Sequence, residues 1–184
     1  MQLPGLGSVS GLEGSRQSSE TFYSFTGFTT PPSVYRLDVE SGLSTLYQNP
    51  STPLDESRFE TRQVFYPSKD GTQIPIFITA RKGITLDGTA PTLLYGYGGF
   101  NIPVTPSYKV PIAVWLDMGG VYAVANLRGG GEYGGEWHEA GMKLNKQNVF
   151  DDFAAAAEYL IAENWTRPSR LAILGGSNGG LLAA

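Results

Sequence analysis

The sequence predicts an α/β protein built on a parallel sheet, with a short all-β segment ahead of it. Three observations carry that expectation. Residues 92–95, 121–127 and 171–174 are short, nearly all-apolar runs, as expected of strands buried on both faces. Residues 109–118 and 151–163 lie between them with helical character, and strand–helix–strand–helix–strand implies right-handed crossovers and parallel pairing. Upstream, residues 21–48 hold only short β-type runs separated by turn signals.

Taken in order, residues 1–19 are rich in Gly and Ser and lack periodicity, so no element is expected there. Residues 21–28, 33–38 and 43–48 read as strands, broken by Thr30-Pro-Pro32 and Ser41-Gly42, and suit a small antiparallel meander. Three strands alone make a marginal sheet, which places this segment in something larger. Asn49-Pro-Ser-Thr-Pro53 reads as a linker. Residues 59–66 and 73–79 form a predicted hairpin around Lys69-Asp70-Gly71. Gly119-Gly120 ends the first helix. In the second, Phe153, Ala156, Ala157, Leu160 and Ile161 recur at helical spacing, and Asp151 and Asp152 read as capping groups at its start rather than catalytic acids. Residues 179–184 begin a further helix.

Composition narrows the function. With 41% hydrophobic and 16% charged residues among 184, the chain can bury a core. No cysteine is present, which removes disulfide scaffolds, thiolate zinc sites, Fe–S clusters and thiol nucleophiles. A net charge of −4 without basic blocks argues against nucleic acid or an anionic membrane as partner. No 18-residue apolar run exists, and residues 1–10 lack a charged n-region and an h-region, so neither a membrane span nor a signal peptide is readable. Glycine is the outlier at 24 residues, nearly double the usual ~7%. The clusters sit beside aromatic and charged residues, in Tyr95-Gly-Tyr-Gly-Gly-Phe100, Arg128-Gly-Gly-Gly-Glu-Tyr-Gly-Gly-Glu-Trp137 and Gly175-Gly-Ser-Asn-Gly-Gly180, and read as tight turns rather than a flexible linker.

Gly175-Gly-Ser177-Asn-Gly179 matches G-x-S-x-G, a pattern that is weak alone and strong between an apolar strand and a helix. A serine forced into a strained turn needs glycine two positions before and after it so that neighbouring backbone can pass. Its oxygen then projects near the start of the following helix, where developing negative charge is favoured. The alternative is a Gly-rich turn that binds phosphate, but neither G-x-x-x-x-G-K-[ST] nor G-x-G-x-x-G accompanies Ser177. In hydrolases with this elbow a second oxyanion donor comes from an upstream strand end, here Gly96-Tyr97-Gly98-Gly99-Phe100. The Tyr97 hydroxyl can serve as that donor. Taken singly, Tyr95, Tyr97 and Phe100 also read as core aromatics.

Together, residues 94–100, 124–134 and 174–182, with Lys146-Gln-Asn-Val-Phe-Asp-Asp152, resemble the prolyl oligopeptidase family of proline-specific serine peptidases. The resemblance implies a partial α/β-hydrolase sheet, parallel and three-layered, preceded by a remnant of a β-propeller blade. Residues 1–53 would be the last blade and linker, and 54–184 the N-terminal part of the catalytic domain. It implies Ser177 as nucleophile, the Tyr97 hydroxyl and the Asn178 backbone N–H as oxyanion donors, and Phe100 as a wall of the proline pocket. It further implies no cofactor or metal, short proline-containing peptides as partners, no nucleic acid or membrane partner, a monomer and a cytoplasmic location. Related dipeptidyl-, acylaminoacyl- and basic-specific peptidases remain alternatives, as does a non-catalytic truncated product.

Family members continue well past the nucleophile, whereas this sequence ends seven residues after Ser177, so the triad Asp and His are expected outside it. His138 is the single histidine, reads as a loop or surface residue, and lacks the second His of H-E-x-x-H. Arg128 and Glu132 are candidates to pair in a structural role at the Gly-rich loop. The chain alone is therefore expected to be inactive.

Overall fold

A computed structural model describes residues 1–52 and 54–184; Pro53, the last residue of the expected linker, lies outside the described residues. The chain divides into two compact units, Met1–Phe59 with Thr105–Val114, and Glu60–Val104 with Trp115–Ala184.

The first unit holds an antiparallel sheet in the order β1 (Ser8–Glu13), β2 (Glu20–Thr26), β3 (Ser33–Asp38), β4 (Ser44–Gln48). Alternation builds it. Tyr23 and Phe25 of β2 are buried while Phe22 faces outward, and Tyr23 stacks on Tyr35 of β3 with ring centroids 5.2 Å apart. The last three strands fall where the sequence predicts them. The first corrects the expectation of an unstructured start: Ser8 to Gly11 pair residue for residue with Thr26 to Tyr23, followed by an irregularity between Gly11 and Glu13. An edge strand with a bulge and mostly exposed side chains has no hydrophobic alternation to read.

In the second unit a mixed sheet runs β5 (Phe59–Pro67), β6 (Gln73–Arg81), β8 (Val121–Ala125), β7 (Thr92–Tyr95), β9 (Leu171–Leu174). The three apolar runs pair in parallel, with Leu94 of β7 opposite both Ala123 of β8 and Ile173 of β9. The hairpin of β5 and β6 adds an antiparallel flank, pairing Ile78 with Ala123. Every residue of β8 is buried, as its unbroken hydrophobicity requires.

Helices α1 (Val110–Asp117), α2 (Gly135–Glu139), α3 (Gln147–Ala162) and α4 (Asn178–Ala183) complete the chain. The third starts a turn earlier than predicted and turns Val149, Asp152, Phe153, Ala156 and Leu160 inward. Asp152 is therefore not a cap. It lies on the buried face of α3, completely inaccessible to solvent, because a cation waits for it there.

Candidate active site

Two loops and one turn converge in the second unit, and each is shaped by where a Cβ cannot go. β9 ends at Leu174 and α4 begins at Asn178, with Ser177 between them at φ 53°, ψ −117°. A left-handed, non-glycine backbone of this kind costs on the order of 1–3 kcal/mol and persists only where surroundings impose it. The surroundings here are the flanking glycines. A Cβ on Gly175 would run into the Gly179 carbonyl, and one on Gly179 would lie 2.5 Å from the Gly96 carbonyl oxygen, whereas Gly176 has open space. The two glycines of G-x-S-x-G are thus the sterically obligatory ones. Ser177 itself is exposed. The N–H of Asn178, in the first turn of α4, has no carbonyl a turn earlier to accept it, as for all such amides.

The Tyr97 loop leaves β7 and remains attached to the elbow. Gly96 N–H donates to the Leu174 carbonyl at 3.3 Å, continuing the β7–β9 ladder by one rung. Beyond it, the Asn178 side-chain amide donates to the Tyr97 carbonyl. Gly99 leaves the room for that contact, since a Cβ there would sit 2.6 Å from Asn178 Nδ2. Lys146 Nζ donates to the Gly98 carbonyl at 2.8 Å and to Asn178 Oδ1 at 3.3 Å. Burial lowers the Lys146 pKa from the ordinary lysine value. Burial likewise raises that of Tyr95, with Tyr97 adding a smaller push in the same direction.

Phe100 ends the loop with φ 57° and is 74% exposed, so it is an outward-facing aromatic rather than part of the packed core. Asn101 follows in the same left-handed region. Its N–H lies 3.1 Å from both the Gly129 carbonyl and His138 Nδ1. His138 Nδ1 is itself 2.7 Å from the Gly129 carbonyl. The histidine, expected as a loop or surface residue, is thus half-buried with Nδ1 against the backbone of two loops.

Beneath the second loop lies the cation that holds Asp152. Arg128 is 5% exposed and every guanidinium N–H has an acceptor. Nε and Nη2 donate to the Asp152 carboxylate, the shortest at 2.6 Å. Nη1 reaches Asp70 at 2.6 Å and Thr72 at 3.3 Å, and Nη2 also reaches Ser68 Oγ. Asp152 also accepts from Ser68 Oγ at 2.6 Å and from the Arg128 backbone N–H, while the Tyr66 hydroxyl donates to its carbonyl. The Asp152 hydrogen bonds hold the Arg128 pKa above its ordinary value despite burial. The expected Arg128–Glu132 pair is replaced: Glu132 Oε1 accepts from the Val104 N–H at 2.8 Å and Asn126 Nδ2 at 3.1 Å. Among the described residues, no group of three or more acidic or histidine side chains could hold a metal ion, and no helix is long and apolar enough to cross a membrane.

The architecture is that of a partial α/β-hydrolase sheet, with a strand–serine–helix elbow at the end of β9, preceded in sequence by a propeller segment. Residues 106–184 match the model of the prolyl oligopeptidase family, and residues 1–50 match that of the prolyl oligopeptidase N-terminal beta-propeller domain. The prolyl endopeptidase of Elizabethkingia meningoseptica is 48% identical over 182 residues, covering 99% of this chain and 26% of that protein. That of Dictyostelium discoideum is 46% identical over 186 residues, covering 99% and 24%. A solved prolyl endopeptidase chain superposes with a TM-score of 0.91 at 55% identity, over 98% of this chain and 27% of that one. Apo prolyl oligopeptidase B from Galerina marginata gives 0.83 at 40%, over 97% and 26%. The chain belongs to the prolyl oligopeptidase family, and spans about a quarter of the length of the curated relatives it matches.

Proposed function

We propose that this chain carries the nucleophile and oxyanion hole of a serine endopeptidase that cleaves short peptides on the C-terminal side of proline. On this reading residues 1–53 belong to the propeller and 54–184 to the catalytic domain. Ser177 Oγ attacks the prolyl carbonyl carbon, and the resulting oxyanion accepts from the Tyr97 hydroxyl and the Asn178 N–H. Collapse of the tetrahedral adduct expels the amine and leaves an acyl-serine, which water hydrolyses. Phe100 offers an apolar face to the proline ring. The observation that carries the reading is the Asn178 side-chain bond to the Tyr97 carbonyl, a contact across 81 residues of sequence that joins the two halves of the oxyanion hole.

The Ser177 proton needs a base. Triad order on this fold is serine, then acid, then histidine, and His138, the single histidine, precedes Ser177, so we place the triad histidine and acid outside these 184 residues. Without them a serine enzyme loses on the order of 10⁴–10⁶ in rate, and the 184-residue chain alone has negligible turnover. A fluorogenic Gly-Pro amide tests both statements. The purified chain should release no fluorophore above background; release that Ser177→Ala abolishes would overturn the inactivity. In a polypeptide of the relatives' length that includes these residues, Ser177→Ala should lower kcat by at least about 10⁴-fold. Retained turnover there would remove Ser177 from the chemistry.

A further inference from the structure

We propose that Lys146 is a positioning residue of the oxyanion hole, its ammonium pinning the Tyr97 loop to the elbow so that the two oxyanion donors keep a fixed separation. This rests on the reading of Tyr97 and Asn178 given above. The stretch Tyr97-Gly98-Gly99 is short of backbone partners. The Gly99 carbonyl accepts from the Ile102 N–H at 3.1 Å, but the Tyr97 and Gly98 carbonyls are met by side chains, those of Asn178 and Lys146. Gly98 is buried and sits at φ 59°, so its carbonyl has no water to fall back on and its backbone has no intrinsic stiffness.

Donor and acceptor roles make the three groups interdependent. An ammonium can only donate and a carbonyl can only accept, so Asn178 must turn Oδ1 to Lys146 and Nδ2 to Tyr97. Remove the ammonium and the Gly98 carbonyl and Asn178 Oδ1 both lose a donor. The amide then keeps only its bond to the Tyr97 carbonyl, and the Gly98 carbonyl is no longer tied to the elbow through a shared donor. The residues around Lys146 suit a fixed support. It occupies the position just before α3, where its side chain makes no capping bond and is left for the loop. Val149 in the first turn of that helix occupies the space a Cβ on Gly98 would need, so the start of α3 holds the loop by one polar and one apolar contact. Both acceptors of the ammonium are neutral oxygens, so its charge is not cancelled by a carboxylate at this point and adds a favourable field for an oxyanion nearby.

The test separates charge from bulk. In a polypeptide of the relatives' length containing these residues, Lys146→Met should lower kcat about 30-fold while KM stays within about threefold. Residues 1–184 contain no cysteine, so Lys146→Cys offers a single handle here for alkylation. Aminoethylation rebuilds the ammonium at lysine length and should bring kcat to within about threefold of the parent; the neutral propyl thioether should not. Unchanged kcat in Lys146→Met, or equal recovery with the propyl group, overturns the proposal. A second measurement needs no turnover. In the 184-residue chain, Lys146→Met should speed amide exchange at residues 98–101 and 179–181 about tenfold and leave β8 unchanged. Unaltered exchange at those amides overturns the bracket. If the parent enzyme does not cleave a Gly-Pro amide, the peptidase reading fails by itself, and the exchange result still decides the role of Lys146.

Discussion

Beneath the loop that starts at Arg128, charge is buried and every donor is matched; at the rim of the neighbouring loops, Ser177 and Phe100 are exposed and hold left-handed backbones. The two regions touch. A Cβ on Gly129, the residue after Arg128, would sit 2.8 Å from the Gly98 carbonyl oxygen in the Tyr97 loop. The difference shows a division of labour: the buried pairing of Arg128 with Asp152 fixes the loops from below, and this lets the accessible residues above sit in conformations that cost free energy. A buried ion pair is a weak source of net stability but a demanding one geometrically, since either partner left alone is costly.

The largest expected effect comes from breaking the lower region. Arg128→Met leaves the Asp152 carboxylate buried without its cation, and should cost about 3–5 kcal/mol of unfolding free energy. Chemical denaturation of the 184-residue chain measures it. Adding Asp152→Leu to that variant should recover a large part of the loss, because the uncompensated charge goes with it. A loss below about 1 kcal/mol in the single variant would mean that packing, not charge pairing, supports the loops.

The rim should respond in the opposite direction. Phe100 has a large exposed ring and a left-handed backbone, so it contributes little packing and stores strain. Phe100→Gly relieves that strain and should stabilise the fold by about 1 kcal/mol or less. In a catalytically complete enzyme the same change should raise KM for proline peptides, since the ring is the proposed apolar contact. A lower denaturation midpoint in Phe100→Gly would place the ring in the core and erase the contrast between the two regions.

What the sequence reveals follows the same line. Strand β8 was legible because burial on both faces demands continuous hydrophobicity. Strand β7 alternates buried with half-buried residues. Strand β9 shows the same apolar run although it lies at the sheet edge with Ile173 and Leu174 largely exposed, so the expectation of burial on both faces fails there. The elbow was legible because backbone crowding at Gly175 and Gly179 admits only glycine, a constraint written directly in residue identity. Strand β1 was hidden, since its pairing uses backbone groups while its side chains face solvent. Asp152 was misread because an acid near a helix start ordinarily caps it; only the arrival of Arg128 from 24 residues upstream explains an acid on the buried face. Lys146 stood in the sequence only as the first residue of a family-like segment, with no signal of its contacts, as an ammonium serving two carbonyl-type oxygens has no spacing rule. Local sterics and periodicity survive in sequence, whereas long-range polar pairing is set by the fold.

Asp70 marks the outer boundary of the buried network and carries the smallest expected effect. Its side chain is 47% exposed, and the Arg128 hydrogen bond, followed by the Thr72 backbone N–H, lowers its pKa to about 2 from the ordinary 3.8. A carboxyl whose folded value lies below its unfolded one contributes stability that is fully present above the unfolded value. That contribution is lost as pH falls from about 4 through about 2, where the folded form too takes up its proton. Solvent screens the pair, and Arg128 keeps both contacts to Asp152 when Asp70 is neutralised, so Asp70→Asn should cost only about 0.5 kcal/mol at neutral pH. Denaturation of parent and Asp70→Asn across the acid range should show a constant difference above about pH 5 that shrinks towards zero near pH 2. A loss as large as that of Arg128→Met would mean that burial does not grade this network. A difference that persists unchanged at pH 2 would mean that the carboxylate charge of Asp70 is not what Arg128 recognises.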